Sequence, residues 1–299
     1  MRKRLYLFGL AFVLVVFLLL HRVPLRAQEE APTLVKVPQD FASLQEAIVN
    51  VAEKGQIEVE KATYYEYVRI VKPLTITTAD GAVIDGRYRN YPDAPWQIYV
   101  SGADGVVISG FTFLTTHTPR VGIGIRVENC MNVVIKNCTF ENTCISGIEL
   151  VGVSNALVFN NTVDASVMSL LIHHCTNVTV TYNVLRDADQ SFHMYNARDI
   201  IFHHNNVFFD EECSHPTYPR ISNTTCTWDD GKFGNYWSDY KLRYPNATEV
   251  EGLGIWDTPY QIDPDDIDGQ EHFDYYPLVI DPQPPVSHGR GGSISLKWL

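Results

Sequence analysis

A two-part phrase returns five times along the chain: a short apolar strand, a turn centred on Asn, Asp or Gly, and a second apolar strand. Placing Gly105, Asn132, Asn155, Asn177 and Asp199 in one column aligns Val106-Val107-Ile108, Val133-Val134-Ile135, Ala156-Leu157-Val158, Val178-Thr179-Val180 and Ile200-Ile201-Phe202 behind them, and the offset settles at 22 residues. A fixed period of that length means that one supersecondary unit stacks on copies of itself. The core is then a column, the fold an all-β solenoid of parallel strands, and every functional group must lie on the outside.

The upstream strand of each unit aligns as well, through Ile98, Ile125, Ile148, Leu170 and Phe192. Period-two alternation turns these inward together with Val100, Val127, Leu150, Ile172 and Met194, so the residues between them point out. The outward columns are Tyr99, Arg126, Glu149, Leu171, His193 and, two residues on, Ser101, Glu128, Val151, His173, Tyr195.

A solenoid exposes apolar side chains and unpaired strands at its ends. Residues 41–55 carry a Ser43/Glu46 capping box, apolar Leu44, Ala47, Ile48 and Val51, and a closing Gly55, a short helix suited to cover the first coil. The β-helix with this cap is expected over 36–208, an irregular C-terminal cap over 209–280, and a disordered Pro/Gly/Ser tail over 281–299.

Met1-Arg2-Lys3-Arg4, the apolar run Leu5 to Leu20 and a small-residue site at Ala27 read as a signal peptide or N-terminal membrane anchor over 1–27. The expected location is extracytoplasmic, secreted or membrane-anchored by that segment alone. Without it the chain holds 18 Lys+Arg against 35 Asp+Glu, which argues against nucleic acid as a partner. In an exported chain Cys213 and Cys226, which bracket one irregular loop, are the expected disulfide; the pairing of Cys130, Cys138, Cys144 and Cys175 stays open.

Three closing phrases, Gly234-Asn235-Tyr236-Trp237-Ser238-Asp239-Tyr240, Gly254-Ile255-Trp256-Asp257-Thr258-Pro259-Tyr260 and Asp274-Tyr275-Tyr276-Pro277-Leu278, resemble the ending of archaeal NosD-like proteins. With the Asn-spaced coils the likeness covers nearly all of residues 36–280. It implies a right-handed parallel β-helix of pectin-lyase-like fold, in a group named for the accessory protein of nitrous oxide reductase copper-centre assembly. Trp256 stands where that family usually shows Gly, and residues 246–252 lack its usual Asp-rich run.

Arg126, Glu128, Glu149, His173, His193 and Tyr195 gather on one outward face, beside a turn holding Asp187 and Asp189. Rings that stack on sugars and charges that hold hydroxyls or uronates make this the expected ligand-binding face, for carbohydrate or a surface polymer; a solvated face of mixed charge is the plainer account. No catalytic residue is assigned, because hydrolysis needs two carboxylates facing one bond and lyase chemistry needs a Ca²⁺-binding acidic set with a base. A polysaccharide lyase or glycoside hydrolase on this face is the alternative. A second alternative is a copper-binding accessory protein, with His173, His193 and Glu149 or Asp189 sharing a Cu or Zn ion and His203 and His204 on another wall. The acidic stretch from Asp263 to Asp274 offers oxygen ligands for Ca²⁺ but lacks EF-hand spacing, and reads as a solvated loop.

Overall fold

The computed structural model describes residues 30–87, 95–114, 122–143, 145–165, 167–187, 190–209, 219–262 and 270–284. The expected export signal, Cys144, Asp189, Cys213, the acidic stretch 263–269 and the tail from 285 lie outside them, as do the side chains of Asn142, Asp187 and Gln190.

Three parallel sheets of nine, seven and eight strands run the length of the stack, and each coil gives one strand to each. One coil thus runs Ser146–Val151, Ser154–Phe159, Thr162–Ala165, and the next begins at Met168. The fold is a right-handed parallel β-helix of about seven turns.

The register follows the alternation. On the seven-stranded sheet Ile98, Ile125, Ile148, Leu170 and Phe192 are successive partners, all at most 1% exposed. On the nine-stranded sheet Val133, Ala156, Val178 and Ile200 do the same, and Cys226 continues the column. Cys226 is a free thiol here, and burial pushes it well above the usual thiol range; its expected partner Cys213 is among the residues not described.

The corners explain the asparagines. Asn132, Asn155, Asn177 and Asp199 have φ between 55° and 57°, a left-handed backbone that Asn and Asp tolerate better than most residues. Their amides also bond along the stack, Asn177 Nδ2 donating to Asn155 Oδ1 at 2.9 Å. Asn223, whose sequon reads as that of a loop acceptor, is instead laddered to Asn196 at 2.8 Å with φ of 46°.

A second ladder is internal. Asn161, Asn183, Asn205 and Asn235 are at most 1% exposed, and each amide donates to the next side-chain oxygen at 3.0–3.1 Å. Each Nδ2 also donates to a carbonyl of an earlier coil, which satisfies buried peptide groups that would otherwise cost about 1–3 kcal/mol each.

At the N-terminus the helix is Leu44–Asn50, shorter than the 41–55 span suggested. Ser43 Oγ accepts from Glu46 N–H as the capping box requires, while the carboxylate of Glu66, from a later coil, accepts from Leu44 and Gln45 N–H. Gly55 does not end the helix; it opens the strand Gly55–Val59, with no room for a Cβ against Val51.

At the C-terminus the three closing phrases meet. Asp274 lies so close to Gly234 that a Cβ there would sit 1.8 Å from its Oδ1. Trp237 donates to Asp274 Oδ2 at 2.9 Å and stacks on Tyr260 at 4.4 Å. Tyr240 stacks on Trp256 at 5.1 Å, so Trp256 packs with these rings.

In the regular coils two of the three corners are two residues long. The connection into the seven-stranded sheet varies: it spans two residues at 144–145, 166–167 and 188–189, and more at 86–95, 115–122 and 210–219.

Candidate functional face

The seven-stranded sheet presents the columns Arg69–Tyr99–Arg126–Glu149–Leu171–His193–Arg220 and Ser101–Glu128–Val151–His173–Tyr195–Ser222. The six expected ligand-binding residues therefore share one face, in two adjoining groups.

The first group is an ion network. Arg126 Nε donates to Glu128 Oε1 at 2.6 Å, and its Nη1 donates to Glu149 Oε2. Tyr99 O–H donates to Glu128 Oε2 at 2.5 Å, and Ser146 Oγ donates to Glu149 Oε1 at 2.6 Å. The Tyr99 hydroxyl holds the Glu128 carboxyl below its usual range, with Arg126 adding to the effect against burial.

Glu149 departs from its expected exposure. Its alternation is outward, yet it is 4% exposed, because its carboxylate lies down over the sheet between Arg126 and Ser146 rather than extending into water. The guanidinium read as free to grip a ligand carboxylate is gripped by two of the chain's own.

The second group is a ring cluster. His173 meets Tyr195 edge-on at 6.2 Å, and His193 meets it at 5.6 Å. His193 Nδ1 is 3.5 Å from the Tyr195 hydroxyl, and its buried Nε2 has no hydrogen-bond partner among the described residues. Burial, with Arg220 nearby, brings the His193 imidazole down to about 4, so it is neutral at pH 7. Burial first, then His174 and Arg126, lowers His173 as well.

Of the expected metal set only His173, His193 and Glu149 can be followed, because Asp189, the alternative third ligand, lies outside the described residues. His173 and His193 sit on the diagonal that alternation gives, but Glu149 is turned to Arg126 and Ser146. Among the described residues, the group of three side chains with ligand atoms all within 4.8 Å of one another is His203, His204 and Asp230. His203 and His204 are on another wall as expected; Asp230, 26 residues further on, was not foreseen as their neighbour.

A family model described as a right handed beta helix region matches residues 93–214. No curated protein matches the sequence. Among solved structures, the chain is similar to a protein of Parabacteroides merdae provisionally described as a glycosyl hydrolase, at 14% identity over 69% of this chain and 94% of that one, with a TM-score of 0.45. It is similar to PfbA, a surface adhesin of Streptococcus pneumoniae, at 13% identity over 64% and 74%, with a TM-score of 0.43. A family 28 exopolygalacturonase of Yersinia enterocolitica follows at 13% identity over 69% and 64%, with a TM-score of 0.40. The family model adds the hand to what the stacked sheets display, a solenoid whose coils wind to the right.

Proposed function

We propose that this chain is an extracytoplasmic, NosD-like binding protein, exported or membrane-anchored by residues 1–27, which holds an extended carbohydrate or surface polymer along the outer face of its seven-stranded sheet. The observation that carries the reading is the adjacency, on consecutive rungs, of a charged network at Tyr99, Arg126, Glu128 and Glu149 and a ring cluster at His173, His193 and Tyr195. A polymer along the stack meets a new rung about every 4.8 Å. Tyr195 offers a ring edge and hydroxyl to a sugar.

The enzymatic alternative is weakened by the same network. A glycosidase pair must face one bond from two sides, whereas Glu128 and Glu149 both face one guanidinium. The copper-accessory alternative would have to draw its third ligand from Asp189, since Glu149 is committed to Arg126 and Ser146.

The test is retention of the protein on immobilised acidic and neutral polysaccharides. Tyr195→Ala with His173→Ala should abolish retention while leaving the thermal transition in place, both side chains being only half-buried. Retention that survives the double change would move the site off this face. Cell fractionation with N-terminal sequencing of the product tests the export.

A further inference from the structure

We propose that His203, His204 and Asp230 form a binding site for a divalent transition-metal ion of the Zn²⁺ class, at the corner where the last complete coil meets the C-terminal cap. The site is separate from the face described above and does not depend on it.

Local geometry brings the two imidazoles together. Consecutive residues of a strand point to opposite faces, but His203 is the last residue of the strand Arg198–His203 and His204 turns the corner with φ of 55°. That left-handed residue swings its side chain beside its neighbour's, and the two Nδ1 atoms are 2.6 Å apart. The carboxylate arrives from the next rung. Asp230 lies in the stretch between Thr227, which pairs with Ile201, and Gly234, whose carbonyl accepts from the His204 main-chain N–H, and the stretch brings its carboxylate to the two rings.

Each donor is held by groups other than a metal. His204 stacks on Tyr182 at 4.9 Å and meets the edge of Phe233 at 5.8 Å, and its N–H donates to Gly234 O at 2.6 Å. Asp230 Oδ1 accepts from Lys232 and Phe233 N–H at 2.9 and 2.8 Å. Thr181, the partner of His203 one coil back, has a buried hydroxyl with no partner among the described residues. Asp230 is exposed, which opens the site to solvent.

The chemistry fits two nitrogens and one oxygen. One ring nitrogen of each histidine and one carboxylate oxygen of Asp230 lie within 4.8 Å of one another. At 2.6 Å the two Nδ1 atoms are within hydrogen-bond distance, so one ring donates and the other accepts. A tetrahedral ion with both nitrogens at ~2.1 Å spreads them to about 3.4 Å. The ring that donates would then carry its hydrogen on Nε2 in place of Nδ1. Imidazole donors select a transition metal over Ca²⁺ or Mg²⁺, and three protein ligands leave a fourth position for water.

The experiment is calorimetric titration of the untagged full chain, freed of metal by chelator, with Zn²⁺, alongside Co²⁺ substitution read by its visible spectrum. One Zn²⁺ per chain is expected, with a tetrahedral Co²⁺ spectrum. His203→Gln and Asp230→Asn should each weaken binding at least about tenfold without moving the melting temperature in chelator; Asn at 230 keeps the oxygen that accepts from Lys232 and Phe233. No saturable Zn²⁺ binding, or binding equal in both variants, would overturn the proposal. Equal competition by Ca²⁺ would overturn it too, since carboxylates alone would then be the ligands.

Discussion

Asn235 and Asp274, 39 residues apart, are joined twice: the main-chain N–H of Asn235 donates to Asp274 Oδ2 at 2.7 Å and its side-chain amide reaches the same oxygen at 3.3 Å. The internal asparagine ladder therefore ends on a carboxylate. Without it, the last amide of the ladder and the indole of Trp237 would be left to buried surroundings with one acceptor fewer.

Asp274→Ala should lower stability by about 2–4 kcal/mol, since four donors, the N–H and side-chain amide of Asn235, the Trp237 indole and the Tyr276 N–H, lose their acceptor together. Asn183→Ala, in mid-ladder, should cost a similar amount because carbonyls of earlier coils lose a donor. Chemical denaturation at fixed pH measures both. A loss under 1 kcal/mol at either position would mean that water replaces these bonds freely.

Two groups should tilt the stability–pH profile in opposite directions. Burial raises Asp274 from 3.8 to about 7, against the pull of its donors, so its contribution is full below pH 4 and is lost as pH rises toward 7. His193 falls from 6.5 to about 4, so its contribution is full above 6.5 and is lost as pH drops toward 4. Asp274→Asn should therefore make the profile rise more steeply with pH between 4 and 7, and His193→Gln should flatten its acid side. Unfolding midpoints taken across pH 4–8 for the three proteins decide it.

Ile148→Ala should cost about 2–5 kcal/mol for the cavity it leaves in the inward column. Glu149→Ala should also be felt, at about 1–3 kcal/mol, because it strips Arg126 and Ser146 of a buried partner. A double-mutant cycle of Arg126 and Glu149 should return a coupling energy above 1 kcal/mol. Additive losses would show that the pair is solvated in solution.

Removing residues 234–299 should give aggregates rather than a soluble shortened chain. It uncovers the last rung and takes away Trp237, Tyr240 and Tyr260, all at most 2% exposed. Size-exclusion chromatography of the truncated chain is the measurement, and a cooperative monomer would show that the coils close without this cap.

The repeat, the inward columns and the left-handed corner residues were legible because stacking writes them once per coil, as in Ile125, Ile148 and Leu170. Asn161, Asn183 and Asn205 follow the same period, but an Asn beside a turn reads as a turn residue, and its inward aim depends on the left-handed corner residue before it. Glu149 was placed on its face correctly. Its burial came from the reach of Arg126 one rung back, which alternation does not encode. His203, His204 and Asp230 stayed hidden because Asp230 belongs to an irregular stretch between the pairing of Ile201 with Thr227 and that of Asn206 with Tyr236, across which the offset changes.

The corner of variable length decides what kind of change this scaffold absorbs. An added residue at Asn132 or Asn137 would slip the following strand by one and turn Ile135 or Phe140 out of the column. At 115–122 or 210–219 the chain already accommodates extra length between strands that keep their partners. New sequence can thus be spliced in at one port per coil, and each port opens at the edge of the sheet that carries Arg126 and His193. A lineage built this way inherits its rungs and edits its rim, so specificity can diverge while the frame that displays it stays the same.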